Sequence, residues 1–369
     1  MIQNKTRVTF LLPCFVRYQI GGFKVVFEYA NGLVQRGYQV SIVFPAVGNR
    51  KASIGMRIRG LASYLLHCVD KAYRPDAWFK LDSRVQILWV PSLAERYIPL
   101  ADVVIATAWL TAEWVRNFHD DKVQRLYFVQ DYEHYMNASV KIKERIELTF
   151  KMKAQFIGIA PPVLEMLQQH GVVDIEYIPN GLDFDTFFLD VPIGDEVRCT
   201  VGFPTRPELF KATGDAISAL AIVRERIGSG FSVWSFGGEK PAYMPDWVEY
   251  HVRPSDEKLR SLYNHSSIFV VPSHFEGWGL PGSEAMACGA ALVSTDNGGV
   301  RAYAIHEENA LLSPVSQPGS LAADILRLIA DPSLRIALAT KGKQHIQQFT
   351  WERAIGDFDN VINGIVAHK

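Results

Sequence analysis

With 369 residues, 48% of them hydrophobic, the chain has material for two ordinary domains, each with its own core. The formal net charge is −1, so no global field recruits nucleic acid or draws the whole surface to an anionic membrane; any basic patch must be local. The cysteines Cys14, Cys68, Cys199 and Cys288 lack metal-ligand spacing, and two fall in segments that read as strand or helix cores, so reduced thiols without disulfides are expected.

The first residues run directly into a predicted strand, Val8–Leu12, with no long apolar leader, and no run of about eighteen apolar residues follows. Neither a signal peptide nor a membrane span is expected. A loop through Gly21 and Gly22, a helical pattern over Phe23–Arg36, a stop at Gly37 and a strand over Gln39–Phe44 complete one right-handed βαβ unit. Further short apolar runs at Val85–Val90, Val103–Thr107, Leu126–Val129 and Phe156–Ile159 predict a parallel sheet with helices on both faces. After Pro179-Asn-Gly-Leu-Asp183 the pattern restarts, with strands expected near Thr200–Phe203, Phe231–Phe236, Ile268–Val271 and Ala291–Ser294. The expected organisation is therefore α/β: a Rossmann-like domain over 1–183, a second over 184–350, and a terminal helical segment over 351–369.

The stretch from Pro272 to Gly289 carries most of the functional information. It follows a buried strand, so Glu276 is expected at a strand's carboxyl end, where open α/β sheets bind ligands. Gly277 and Gly279 permit a tight loop, Pro281 suits a helix start and Gly289 a helix end, which puts Glu284 in the first turn of that helix. Carboxylates there suit sugar hydroxyls better than phosphate, which they would repel. Arg206 and Lys211 follow the first strand of the second domain, five positions apart, as a planar fork and a mobile point charge for an anion.

The string Glu276-Gly-x-Gly-Leu-Pro-x-x-Glu284-Ala-x-Ala-x-Gly289 resembles the Glu-x7-Glu signature of retaining GT-B glycosyltransferases of family four. The resemblance implies two Rossmann-like domains facing across a cleft, a final helix crossing back to the first domain, and transfer of a sugar from a nucleoside-diphosphate donor to a hydroxyl acceptor. It implies that Glu276 lies by the donor sugar and that Glu284 binds the ribose. It also implies that Arg206 and Lys211, similar to the family's Arg-x4-Lys pair, hold the diphosphate as negative charge builds on it. Gly21 and Gly22 resemble the glycine turn near the leaving phosphate; Gly237, Gly279 and Leu280 join the donor-binding set. Gly298-Gly299 is similar to a family turn too, but Val-Arg-Ala-Tyr follows in place of Pro-Glu.

Where relatives carry a histidine, this chain reads Phe128-Val129-Gln130-Asp131-Tyr132-Glu133, which is similar to the family's rhamnosyltransferases. Gln130, Asp131 and Glu133 are the acceptor-side candidates, with His134 and His274 beside the two strings. No Asp-x-Asp pair is placed to hold a divalent ion, so neither metal nor cofactor is expected. The expected partners are a nucleotide-sugar donor and a glycan, lipid-linked or small-molecule acceptor, as in polysaccharide or glycoconjugate synthesis. Two cation-rich stretches, Arg50–Arg59 and Lys141–Lys153, are candidates for weak contact with anionic lipid or are solvated faces. The expected location is the cytoplasm, with the inner face of the membrane as a further place of contact. The alternatives are a non-catalytic or sugar-nucleotide-modifying GT-B relative and, last, a glycosidase built on two carboxylates.

Overall fold

Short β-branched runs alternate with helices along the whole chain, and in the computed structural model, which describes residues 5–119, 122–130, 132–228 and 230–367, they form two parallel sheets. The chain divides into two units: residues 1–180 with 351–369, and residues 181–350. The first boundary thus falls after Asn180, three residues before the expected one.

The first unit runs β1 (Arg7–Leu11), α1 (Gly21–Gln35), β2 (Gln39–Val47), α2 (Ile54–Asp70), β3 (Gln86–Ser92), β4 (Val103–Ala106), α3 (Trp109–Val115), β5 (Gln124–Val129), α4 (Glu133–Asn137), α5 (Val140–Phe150), β6 (Gln155–Gly158), α6 (Pro161–Gln169) and β7 (Ile175–Tyr177). Its sheet order is β3-β2-β1-β4-β5-β6-β7. The strand order reverses between β1 and β4, and Thr107 at the end of β4 donates its hydroxyl to the Leu11 carbonyl at 2.7 Å, tying those two strand ends together.

The second unit runs β8 (Thr200–Pro204), α7 (Thr213–Ile227), β9 (Ser232–Gly237), β10 (Val248–Val252), α8 (Asp256–His265), β11 (Ser266–Val271), α9 (Leu280–Ala287), β12 (Ala291–Thr295), β13 (Leu311–Ser313), α10 (Pro318–Ala330) and α11 (Pro332–Ile346). The order β10-β9-β8-β11-β12-β13 reverses between β8 and β11. Val201, Phe203, Ile268, Val270 and Val293 form its core with the apolar sides of α7 and α10.

A last helix, α12 (Trp351–Ala367), belongs to the first unit. Its Phe358 is fully buried against Tyr29, Phe10 and Phe128, at ring centroid distances of 4.5, 6.2 and 5.6 Å. The fit is close enough that a Cβ on Gly32 of α1 would lie 2.3 Å from Ile355. Two polar contacts fasten the outer side: Arg36 meets Asp359 at 3.3 Å, and the Tyr38 hydroxyl donates to the same carboxylate at 2.5 Å.

Three strands escaped the sequence reading, β7, β10 and β13, and each is an edge strand of three to five residues. An edge strand has one neighbour and buries less, so its apolar run is short or interrupted, as in Val248-Glu-Tyr-His-Val252. Helix α1 begins at Gly21, not Phe23, with Ile20 as its N-cap, so the two glycines form its first turn and are not a loop before it. Cys288 is the one buried cysteine; Cys14, Cys68 and Cys199 are exposed, and all four are free thiols. No described helix is long and apolar enough to cross a membrane.

Candidate active site

In open parallel sheets, ligand sites lie beyond the strands' carboxyl ends where the strand order reverses. In the second unit that place is between β8 and β11, and each strand delivers part of the candidate site there. After β8 the chain makes a short loop and a turn of 3₁₀ helix, Leu209–Lys211, before Ala212 adopts a left-handed conformation (φ 52°) that starts α7. After β11 it makes the glycine-rich loop that starts α9. The two loops are joined through the backbone, the His274 N–H donating to the Phe210 carbonyl at 2.7 Å.

This junction brings Lys211 and Glu276 together. The Lys211 ammonium lies 2.8 Å from Glu276 Oε2, with side-chain exposures of 17% and 14%. Ser273 donates its hydroxyl to Glu276 Oε1 at 2.7 Å, and the backbone of Glu276 bridges to Gly298, with its N–H on the Asn297 carbonyl at 3.1 Å. Gly299 is required there, because a Cβ would sit 2.6 Å from the Glu276 carbonyl oxygen. The Gly298-Gly299 loop thus fixes Glu276 despite its unusual continuation.

Arg206 takes a different pose. Its guanidinium lies 5.5 Å over the Phe236 ring and donates to the Thr205 carbonyl at 3.0 Å, while its backbone N–H and C=O both meet the Thr213 hydroxyl. Its neighbour on the β9 side, Gly237, has a purely packing reason to be glycine: a Cβ would lie 2.5 Å from both the Thr205 carbonyl oxygen and the Tyr250 hydroxyl. Beside it Gly238 has open space where a Cβ would go.

Helix α9 starts from Gly279, whose φ of 91° excludes most other residues. Leu280 and Pro281 open the helix, and Glu284 is the fifth residue, so it is not in the first turn as expected. The correction bears on its role. A helix-dipole explanation for an acid works best in the first turn, whereas Glu284 is 7% exposed and accepts a hydrogen bond from the Tyr263 hydroxyl at 3.3 Å.

Two tyrosines that the sequence did not mark line this region. Tyr303 is fully buried and donates its hydroxyl to the Gly279 carbonyl at 2.9 Å. Burial, reinforced by the nearby Glu276 and Glu284 carboxylates, pushes its pKa well above that of an ordinary phenol, so it stays a donor. Tyr263 is likewise pushed up, first by burial and then by Glu284 and Cys288. Neither sits at a fixed spacing from the glutamates, so no local pattern announces them. His274 Nε2 is 2.9 Å from Asp215 in the first turn of α7, with Ser316 at 3.2 Å, which fixes the ring in place.

In the first unit, Gly22 and Gln130 are brought together: the Gln130 amide donates to the Gly22 carbonyl at 3.4 Å, and a Cβ on Gly22 would lie 3.6 Å from its Oε1. Gly21 and Gly22 open the first turn of α1; its Ile20 cap offers no side-chain acceptor, and the Ile20 carbonyl accepts from the Phe23 and Lys24 N–H groups at 3.1 and 3.0 Å. Asp131 lies outside the described residues; Glu133 opens α4, its side chain likewise outside them. The sequence around Lys141–Lys153 becomes α5, where Arg145 is buried in an ion pair with Glu113 at 2.7 Å rather than being a surface cation. Among the described residues no group of three His, Cys, Asp or Glu side chains comes together around a potential metal site.

Comparison with known proteins bears on this arrangement. Residues 243–345 match the family model for glycosyl transferases group 1. Glu276 and Glu284 fall inside the matched segment, and Arg206 and Lys211 precede it. D-inositol 3-phosphate glycosyltransferase of Salinispora tropica is 28% identical over 197 residues, 48% of this chain and 40% of that protein. The O-antigen biosynthesis protein RfbC of Myxococcus xanthus is 24% identical across 97% of this chain but 27% of its own length. The chain thus spans less than half the length of these curated relatives. Among solved structures, sucrose-phosphate synthase from Thermosynechococcus elongatus superposes with a TM-score of 0.72 at 17% identity, over 99% of this chain and 100% of that one. Anabaena HepE in complex with UDP and glucose superposes at 0.73 with 14% identity, over 97% and 100%. The fold is GT-B.

Proposed function

We propose that the chain is a retaining glycosyltransferase that takes a sugar from a nucleoside diphosphate and passes it to a hydroxyl acceptor in glycan or glycoconjugate synthesis. The observation that carries the reading is the junction of Lys211 and Glu276 at the β8/β11 strand ends, with Arg206 and Glu284 on the same two connections. The glycosyl transferases group 1 match over this segment and the UDP bound by a structural neighbour support it.

The roles follow from charge. Without donor, Lys211 and Glu276 neutralise each other. A diphosphate is the stronger anion, so on binding it draws Lys211 away together with Arg206, whose guanidinium reorients from Phe236. Glu276, released, accepts hydrogen bonds from hydroxyls of the donor sugar, with Ser273 holding its other oxygen. Glu284 accepts from the ribose hydroxyls. As the glycosidic bond breaks, negative charge grows on the diphosphate, and the two cations stabilise that state more than the ground state. They need no divalent ion for this. The acceptor is bound by the first unit, where Gln130 beside Gly22 offers both a donor and an acceptor group. Retention of anomeric configuration follows from attack on the same face as the departing diphosphate, which accepts the acceptor's proton.

Thermal stabilisation by UDP, GDP, ADP and dTDP, each with magnesium and with EDTA, tests the reading, because a ligand that binds only the folded state raises its Tm. A shift with one diphosphate that survives EDTA is expected and names the donor class. No shift with any of them removes the proposal.

A further inference from the structure

Helix α2 of the first unit is turned inside out relative to an ordinary surface helix. At 3.6 residues per turn, Ile54, Ile58, Leu61, Leu65 and Val69 share one stripe about 80° wide. In a globular protein such a stripe faces the core. Here all five are exposed, by 58% to 84% of their surface. The helix meets the sheet through Gly60, which lies so close to β2 that a Cβ would be 2.1 Å from Val47, and through the buried His67, whose ring meets Phe15 and Trp89 edge-on at 4.9 and 5.7 Å. The helix is held to the sheet at Gly60 and His67, with its apolar stripe facing outward.

The charge around the stripe is one-sided. By helical geometry Arg57 and Arg59 lie on either side of it, the Arg57 guanidinium donating to the Ala52 and Arg50 carbonyls at 3.1 and 3.4 Å; Arg50 and Lys51 precede the helix and Lys71 ends it. Residues 50–71 hold these five cations and one carboxylate, Asp70, which is itself engaged by His67 at 2.8 Å. The chain as a whole is close to neutral, at −1, so this excess is local.

We propose that α2 lies in the interface of an anionic lipid bilayer, its stripe among the acyl chains and its flanking cations among the headgroup phosphates. A helix with an apolar outer stripe, bordered by Arg and Lys, has the build of an interfacial helix. Charge complementarity selects an anionic surface over a second copy of the chain, because self-pairing sets five cations against one engaged carboxylate on each partner. This contact is independent of the proposed transfer reaction and does not use its residues.

The test is sedimentation of the full chain with vesicles of phosphatidylcholine alone and with 30 mol% phosphatidylglycerol, at about 50 and 500 mM salt. The wild type is expected to sediment with the anionic vesicles at low salt and to be released by high salt. The pair Ile58→Glu with Leu65→Glu is expected to weaken binding about tenfold or more, and Arg57→Glu with Arg59→Glu about 5-fold per reversed cation. The Ile58 and Leu65 side chains are exposed, so Tm should hold in that variant; Leu61→Trp, whose emission should shift to the blue on binding, gives a second reading that needs no loss of function. Equal binding by wild type and the Ile58/Leu65 variant overturns the proposal, as does no binding at low salt. A lipid-free dimer that the Ile58/Leu65 variant converts to monomer, without vesicle binding by the wild type, overturns it in favour of a second copy.

Discussion

The two units place chemistry at their strand ends in different ways. Where the order reverses in the second unit, cations and carboxylates are crowded and already braced: Lys211 on Glu276, Ser273 on the same carboxylate, Tyr263 on Glu284, His274 on Asp215. At the matching place in the first unit, the described groups include a pair of helical glycines, one glutamine amide at 3.4 Å and the Thr107 hydroxyl on the Leu11 carbonyl at 2.7 Å. A charged diphosphate demands fixed opposite charge, and fixed charge must be held by neighbours or it costs too much to bury. A hydroxyl acceptor demands only hydrogen bonds, which short loops can offer with little bracing. On the proposed reading, the rigid, charge-dense site is the donor side, and the sparse one leaves the acceptor to be set by a few contacts.

That comparison can be broken most forcefully through the core. Phe358→Ala should destabilise the first unit by about 3–5 kcal/mol, since a fully buried ring is lost. Urea unfolding would measure it, and diphosphate affinity of the still-folded protein should not move; if the two fall together, the units are not separate in function. Next in size, Glu276→Gln should lower kcat by about 10²–10³-fold while leaving diphosphate affinity within a few-fold, because it removes the charge that answers the sugar. Equal loss in both would sink its assigned role. Lys211→Met should weaken diphosphate binding by about 1.5–3 kcal/mol, read by calorimetry, with the effect unchanged by magnesium or EDTA. Glu284→Ala should weaken nucleoside diphosphate binding by a similar amount but leave inorganic pyrophosphate binding alone, a split that separates ribose from phosphate. Smallest of all, Gln130→Ala should raise the acceptor KM by a few-fold, about 0.5–1.5 kcal/mol for one neutral hydrogen bond, with donor KM constant.

Much of the second unit's site is legible in the chain because its parts recur at fixed local spacing. Glu276 and Glu284 flank one glycine turn, and Arg206 and Lys211 follow one strand; the periodicity that predicts the strands then places both pairs at neighbouring ends. What spacing cannot convey is who braces whom. Tyr263 comes from α8 and Tyr303 from a loop beyond β12, and both reach the glutamates only through the packing of the whole sheet. The edge strands β7, β10 and β13, of three to five residues, are too short or too interrupted to show a pattern, whereas the seven-residue edge strand β3 is legible. The charge runs misled in part. Arg145 reads as one more cation of a basic helix, yet it is buried on Glu113, whereas the cations near Arg57 border an apolar stripe that becomes visible only once the helix has an inside and an outside.

Helix α12 has a consequence for the birth of the protein. The aromatic seat formed by Phe10, Tyr29 and Phe128 is made on the ribosome well before the helix that fills it, which starts at Trp351. At roughly 5–20 residues per second the interval is on the order of 10–50 s. Throughout it the seat is open to water and to other nascent chains, and a polypeptide released before Trp351 keeps it open for good.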